Sequence, residues 1–293
     1  MRLADSLGPV IPPPRRFLCD SIKGQDRHPL HLYDLPLYYD IAADWDISAE
    51  TAVLKTILDA HLAASAHHLL EPACGSGRYL EALTSAGFHV TGYDRSLAMI
   101  SFARKRLQTG QLSALAQVAV GDLKAMAFAR HFDAALTLAG SLGYLLDRDA
   151  LTAHLRHTAA ALRPGGLYII QLLCAWKGTR PIPAPWTHER QGVRVTTQWF
   201  IEREDSESER CLHRCRMQIM DHGHSHTLDE LHTLRLWRYP ELRTEIEAAA
   251  NLRLLAIYNR AGNSIPLHAH ISGEWGELFY VFRSTELPGR GAS

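Results

Sequence analysis

Nowhere in the 293-residue chain is there an apolar run near the roughly 20 residues that a membrane-spanning helix needs. The N-terminus also lacks a secretory signal's apolar stretch, because Leu3 to Ile11 is broken by Asp5, Gly8 and Pro9 and followed by three prolines and two arginines. Net charge is missing too: 31 Lys and Arg balance 31 Asp and Glu, so no surplus positive field is available to hold a polyanion, and a nucleic-acid partner is not expected. Cysteine is sparse. The five (Cys19, Cys74, Cys174, Cys211, Cys215) are odd in number and form no CxxC pair, which argues against a disulfide framework and for a reducing, cytoplasmic setting. Internal repeats and low-complexity tracts are absent.

What remains is an ordinary apolar content of 46%, enough for one large α/β domain with an elaboration. Residues 1–28 read as a loose extension. From residue 29 aromatic and aliphatic residues mix with acids, and helical spacing over 49–64 marks N-terminal helices. Strand and helix patterns then alternate: strands at 68–71, 89–93, 116–120, 132–138 and 166–173, with helices between most of them. Such alternation implies a mostly parallel sheet covered on both faces. The period changes to two from 193 to 236, as in an antiparallel meander, before a helix at 240–250 and strands at 253–258 and 277–283. The expected fold is α/β: a Rossmann-like, seven-stranded, mostly parallel sheet with an inserted β meander. Its parts are a core with lid helices at 29–175, an insertion forming a cap or dimer interface at 176–239, and a C-terminal completion at 240–293.

The most informative segment is Leu70-Glu-Pro-Ala-Cys-Gly-Ser-Gly-Arg-Tyr, between the first strand and its helix. Gly75 and Gly77 allow a tight turn and close approach to a ligand. Nineteen residues after Gly75, at the end of the second strand, Asp94 can accept from two ribose hydroxyls. A dinucleotide site would share that placement, but it wants a third glycine where this chain has Leu80, and Glu71 would repel a pyrophosphate while suiting an ammonium. The residues favour a zwitterionic nucleoside over NAD.

Here the chain resembles the class I S-adenosylmethionine-dependent methyltransferases, of the small-molecule, methyltransferase-domain-25-like type. The resemblance is carried by Glu71-Pro-Ala-Cys-Gly-Ser-Gly-Arg, Val90-Thr-Gly-Tyr-Asp-Arg-Ser, Val120-Gly-Asp-Leu, Phe132-Asp-Ala-Ala-Leu-Thr-Leu and Leu162-Arg-Pro-Gly-Gly-Leu, in that order. It implies S-adenosyl-L-methionine as cofactor. Its methionine part would lie against the backbone of Ala73 to Gly77, Gly75 included, with Glu71 near its ammonium, its ribose at Asp94, and its adenine at Asp122 with Leu123 and Met99 flanking the ring; Tyr39, Arg78, Arg95 and Leu138 complete the cofactor site. Tyr33, Tyr38 and Tyr39 are aromatic candidates to close over a sulfonium.

On the acceptor side, the loop after the fourth strand, Leu138-Ala-Gly-Ser-Leu-Gly-Tyr-Leu, is similar to a stretch of methyltransferases acting on amino sugars, which marks Ser141 and Tyr144 as catalytic candidates. The Asn/Asp-Pro-Pro-Tyr motif of nucleic-acid amino-methyltransferases is missing there. Trp199 and Trp237 in the meander are suited to cap a small acceptor, a homodimer contact being the competing use of that sheet. Alternating His222, His224 and His226, followed by His232, read as a polar hairpin turn, and no metal is expected; His268 and His270 are similar, and nothing in the sequence selects a catalytic base among these histidines. The expected function is methyl transfer to N or O of a small molecule. The competing readings are an S-adenosylmethionine-binding protein without transferase activity and an NAD-dependent oxidoreductase.

Overall fold

The computed structural model describes residues 31–129, 132–174, 182–205, 207–271 and 275–285. The 1–28 extension and the start of the insertion at 176–181 lie outside them. After a single 3-10 turn at Leu32–Asp34 come α1 (Pro36–Ala42) and α2 (Ser48–His61). The alternating region follows as β1 (His68–Pro72), α3 (Arg78–Ser85), β2 (His89–Asp94), α4 (Leu97–Thr109), β3 (Ala116–Val120), β4 (Phe132–Thr137), α5 (Arg148–Ala161) and β5 (Leu162–Leu173). A second sheet is made by β6 (Trp186–Arg190), β7 (Val193–Asp205), β8 (Arg210–Asp221) and β9 (His224–Arg235). The chain then returns to the first through α6 (Tyr239–Ala249), β10 (Leu252–Asn259), β11 (Ser264–Ile265) and β12 (Glu277–Ser284).

The large sheet runs β11-β10-β12-β5-β4-β1-β2-β3, with β1 to β5 parallel and β12 antiparallel to both its neighbours. It has eight strands rather than seven, because the two-residue β11 pairs at the edge of β10; so short a strand leaves no periodic signal. Strand β4 is buried at every position, Asp133 and Thr137 included; Asp133 accepts from His67 N and His68 N at 2.9 Å and from Arg163 at 2.8 Å, which offsets its burial. Alternate residues divide between two cores: Leu70, Tyr168 and Ile170 face α5 and α6, while Leu69, Leu167 and Ile169 pack with Leu54 and Ile57 of α2 and Leu80 of α3. Asp147 caps α5 by accepting from Ala150 N at 2.7 Å, and Ser96 caps α4 by accepting from Met99 N at 3.1 Å. The Arg163-Pro-Gly-Gly turn is a bulge in the β4–β5 pairing, whose register jumps from Phe132↔Leu162 to Ala134↔Leu167.

The meander has four strands in sequential order, joined at one end by Gln191-Gly192 and His222-Gly223, all four residues at positive φ as two-residue hairpin turns require. Strand β6 was not legible as a strand, since five residues behind a Pro-rich stretch are too few to show a period. The inner face of this sheet, with Val193, Val195, Cys215, Met217 and Ile219, packs on Leu32 and on Ile41 and Ala42 of α1. A register shift at Ile201/Arg203 ends the simple alternation of β7, and Phe200 is covered on the other face by Arg216, 5.6 Å from its ring. Trp237 leaves the sheet altogether: it is buried in the α5–α6 core with Arg235 stacked 4.1 Å above its ring.

Candidate functional site

Strand order reverses between β1 and β4, and at the carboxyl ends of these strands lies a cavity of about 400 Å³. Its floor is the turn after β1. There Cys74 N donates to Tyr93 O at 3.0 Å, Gly77 N donates to Cys74 O at 3.0 Å, and Gly75 N donates to Asp94 Oδ2 at 3.0 Å. The other oxygen of Asp94 accepts from Ser96 N at 2.8 Å, so one carboxylate fixes both the glycine turn and the start of α4 while still lining the cavity. Burial raises the Asp94 pKa despite these backbone donors.

Glu71, at the end of β1, is buried, and its Oε2 has no hydrogen-bond partner. Desolvation, with Asp94 close by, pushes its pKa well up. A buried carboxylate without a donor is costly, and a cationic ligand group in the cavity would relieve it. Ala73, Arg78, Arg95 and Leu138 line the same cavity, as does Tyr39, whose hydroxyl pKa burial pushes up to about 12.

Gly77 and Met99 do not line the cavity. Gly77 begins α3 at φ +80°, where a Cβ would stand 2.9 Å from Ala103 Cβ, so its role is helix packing. Met99 is fully buried on α4 and acts as a core side chain. The missing third glycine is compensated across the sheet: Leu80 sits over Gly92 of β2, where a Cβ would approach Leu80 Cδ1 to 2.7 Å.

Beyond β3, Asp122 and Leu123 line the cavity next to Lys124. Asp122 Oδ1 accepts from Lys124 N at 2.8 Å, which shapes the turn. Leu123 is held from below by His154 of α5, a residue the sequence did not single out. His154 Nδ1 donates to Leu123 O at 3.0 Å, which leaves Nε2 to accept from the Tyr168 hydroxyl at 2.7 Å. Burial lowers the His154 pKa to about 4, so the folded protein keeps this ring neutral when an unfolded chain would already protonate it near 6.5. Its stabilising share is therefore intact above pH 6.5 and lost as pH falls toward 4, by ~3 kcal/mol at most. Urea unfolding of the wild type and His154→Gln at pH 7 and pH 4.5 should show a steeper acid loss in the wild type; equal losses would contradict this.

The N-terminal elements close the other side. Asp40 of α1, 1% exposed, accepts from Ser76 Oγ at 2.7 Å in the glycine turn, from Arg106 of α4 at 2.6 Å and from Arg190 of β6 at 2.6 Å. Tyr38 donates to Asp221 at 2.8 Å in the β8–β9 hairpin. Helix α1 is thus tied to the cofactor-side turn and to the meander at once. Trp45 also lines the cavity, with the Arg78 guanidinium donating to its carbonyl and lying 4.9 Å over its ring.

At the far end, the loop after β4 is held by Gln171 of β5, whose side-chain oxygen accepts from Ala139 N at 3.0 Å and whose carbonyl accepts from Gly140 N at 3.2 Å. Ser141 and Tyr144 both line the cavity. The Tyr144 hydroxyl is 2.6 Å from the Tyr33 hydroxyl and 3.1 Å from His232 Nδ1. In sequence His232 merges with the histidine-rich turn before it, so nothing distinguishes it there from His222, His224 and His226. Alternation from Leu228 through Glu230 would have put it on the inner face of β9, where it is 6% exposed.

No described residue of the meander lines the cavity. The sheet forms a second layer that presses on α1 and, through His232 and Leu234, on the Ser141–Tyr144 turn. Trp199 lies behind His232, with ring centroids 4.8 Å apart, so it supports the wall rather than covering an acceptor. Among the described residues no cluster of His, Cys, Asp and Glu is placed to hold a metal ion, and His222 pairs with Asp221 at 2.6 Å on an exposed turn. His268 and His270 are outside the cavity lining. No described helix is long and apolar enough to cross a membrane.

Comparison with known proteins agrees with this architecture. Residues 69–166 match the family described as "Methyltransferase domain". A dTDP-3-amino-3,4,6-trideoxy-alpha-D-glucopyranose N,N-dimethyltransferase from Streptomyces venezuelae is 29% identical over 140 residues, 48% of this chain and 55% of that protein. The chain thus spans about half the length of the curated relatives it matches. Among solved structures, the sugar N-methyltransferase KedS8 from Streptoalloteichus superposes with a TM-score of 0.68 at 21% identity, covering 92% of this chain and 100% of that one. The amino pentose methyltransferase CalS10 from Micromonospora echinaspora, solved with S-adenosylmethionine bound, gives 0.65 at 19% identity, covering 89% and 100%. The fold is that of the class I S-adenosylmethionine-dependent methyltransferases.

Proposed function

We propose that this chain is an S-adenosylmethionine-dependent methyltransferase that methylates an amine nitrogen of a small molecule. The observation that carries the reading is the pair of carboxylates on one cavity wall, buried Glu71 with an unpartnered oxygen and half-buried Asp94 at the end of β2. These fit a ligand with an ammonium at one end and ribose hydroxyls beyond it. Asp122 and Leu123 fit the adenine, and Tyr33 and Tyr39 present aromatic faces that suit a sulfonium. When bound, the cofactor supplies an electrophilic methyl carbon.

The protein's own task is to place a nucleophile in line and exclude water. Tyr144 and Ser141 border the part of the cavity where an acceptor enters, and the Gln171 brace holds their loop. The names of the relatives support a sugar-borne amine over a hydroxyl, and the balanced charge of 31 against 31 supports a small molecule over a nucleic acid. The cysteines Cys19, Cys74, Cys174, Cys211 and Cys215, odd in number and without a CxxC pair, support a cytoplasmic setting.

Incubation with S-adenosylmethionine and the sugar nucleotide dTDP-3-amino-3,6-dideoxy-alpha-D-glucopyranose tests the reading. Equal amounts of S-adenosylhomocysteine and N-methylated sugar are expected by mass spectrometry. Cofactor binding without product formation across a panel of amines would favour the non-transferring alternative instead.

A further inference from the structure

Methylating an amine leaves one proton too many on nitrogen, and the wall opposite the glycine turn offers a route out. From the cavity, the Tyr33 and Tyr144 hydroxyls are 2.6 Å apart, and Tyr144 is 3.1 Å from His232 Nδ1. On the far side of the ring, His232 Nε2 has no hydrogen-bond partner and lies 3.8 Å from Glu230 Oε2. Glu230 in turn accepts from Leu32 N at 2.7 Å and meets His31 Nδ1 at 3.1 Å. The His31 side chain is 61% exposed, so the series begins at the cavity and ends in solvent.

We propose that His232 and Glu230 form a proton exit from the acceptor side of the site, with Tyr144 as its inner end and His31 as its outer end. This rests on the methyltransferase reading. Each hand-over balances. The N–H bond of the methylated amine breaks as an O–H forms on the tyrosine pair; Tyr144's own proton passes to His232 Nδ1; the proton on Nε2 then passes to the Glu230 carboxylate, and from there through His31 to water. The neutral ring must carry its hydrogen on Nε2 for Nδ1 to accept, and a carboxylate facing Nε2 favours that tautomer.

The surroundings explain why the exit is needed and how it is tuned. Both tyrosine hydroxyls lie in the site wall, where burial raises their pKa, so neither is a lasting home for a negative charge. Burial, followed by His31 and Arg95, lowers the His232 pKa, and Glu230 opposes them. Across the sheet, His213 of β8 is paired with His232 and Cys215 with Glu230, and Trp199 covers the ring. Glu230 is thus the one carboxylate among these neighbours, and a direction follows from it. Neutral His232 is the working form, so the maximal rate should fall on the acid side as the ring protonates. Removing Glu230's charge should move that fall to lower pH.

His232→Gln and Glu230→Gln test this against the wild type. With the amino-sugar nucleotide as probe, His232→Gln should lose about 100-fold in kcat with little change in KM, lose the acid limb of its kcat profile, and regain part of the rate with added imidazole. Glu230→Gln should keep the limb but displace it toward lower pH. A second readout needs no acceptor: in histidine side-chain NMR, the His232 titration should shift downward in Glu230→Gln. A His232→Gln enzyme with wild-type kcat and an unmoved profile would overturn the proposal. So would an NMR titration of His232 indifferent to Glu230. Failure of the wild type itself to methylate the amine contradicts the methyltransferase reading, a distinct result.

Discussion

Asp40→Ala should cost about 3–5 kcal/mol in urea unfolding, a large part of the stability of a typical domain. Removing this carboxylate takes from Arg106 and Arg190, 13% and 32% exposed, the acceptor that both meet at 2.6 Å, and leaves them only the longer contacts with the more exposed Glu81 at 3.4 Å and Asp44 at 3.7 Å. Such a loss exceeds that of a surface pair, because a buried charge without its partner bears its full desolvation cost. Asp40→Asn should recover part of it, since an amide oxygen in the Oδ2 position can still accept from both arginines while the amide nitrogen donates to Ser76 Oγ. The same substitution releases α1 from the glycine turn, so weaker cofactor binding should accompany the instability. A midpoint within experimental error of the wild type would show that α1 is held by its apolar contacts with the meander alone.

Asp94→Ala should weaken S-adenosylhomocysteine binding on the order of 100-fold, the equivalent of about 3 kcal/mol. Two effects combine: the ribose loses a charged acceptor, and Gly75 N and Ser96 N lose the oxygens that fix the turn. Asp94→Asn retains one carbonyl oxygen and should lie between. Calorimetry at equal ionic strength measures both, and an alanine variant with unchanged affinity would remove Asp94 from the site. Glu71→Gln offers an independent check, since it keeps the size of the side chain while removing the charge that an ammonium would meet.

These two carboxylates differ in how readable they were. Asp94 stands a fixed distance from Gly75 because one helix and one strand separate them, and local spacing of that kind survives in a sequence. The parallel strands were legible for the same reason, as short, mainly apolar runs between turn residues. Asp40 was not, because its partners at 76, 106 and 190 come from three different elements, and nothing in the chain announces that they converge. His154 and His232 were hidden in a similar way. Each acts only because folding sets another residue, Leu123 or Tyr144, against its ring. The meander was visible as a period of two, yet its place was not. Its strands back the lid and the acceptor loop, and it is this second layer, not the cavity wall itself, that they build.

The cavity at the ends of β1, β2 and β3 is expected to be an S-adenosylmethionine site. Calorimetric titration of the purified chain with S-adenosylhomocysteine, and separately with NAD, tests it most directly. One mole of S-adenosylhomocysteine bound per chain, with no heat from NAD, is the predicted result; binding of NAD, or of neither ligand, would contradict it.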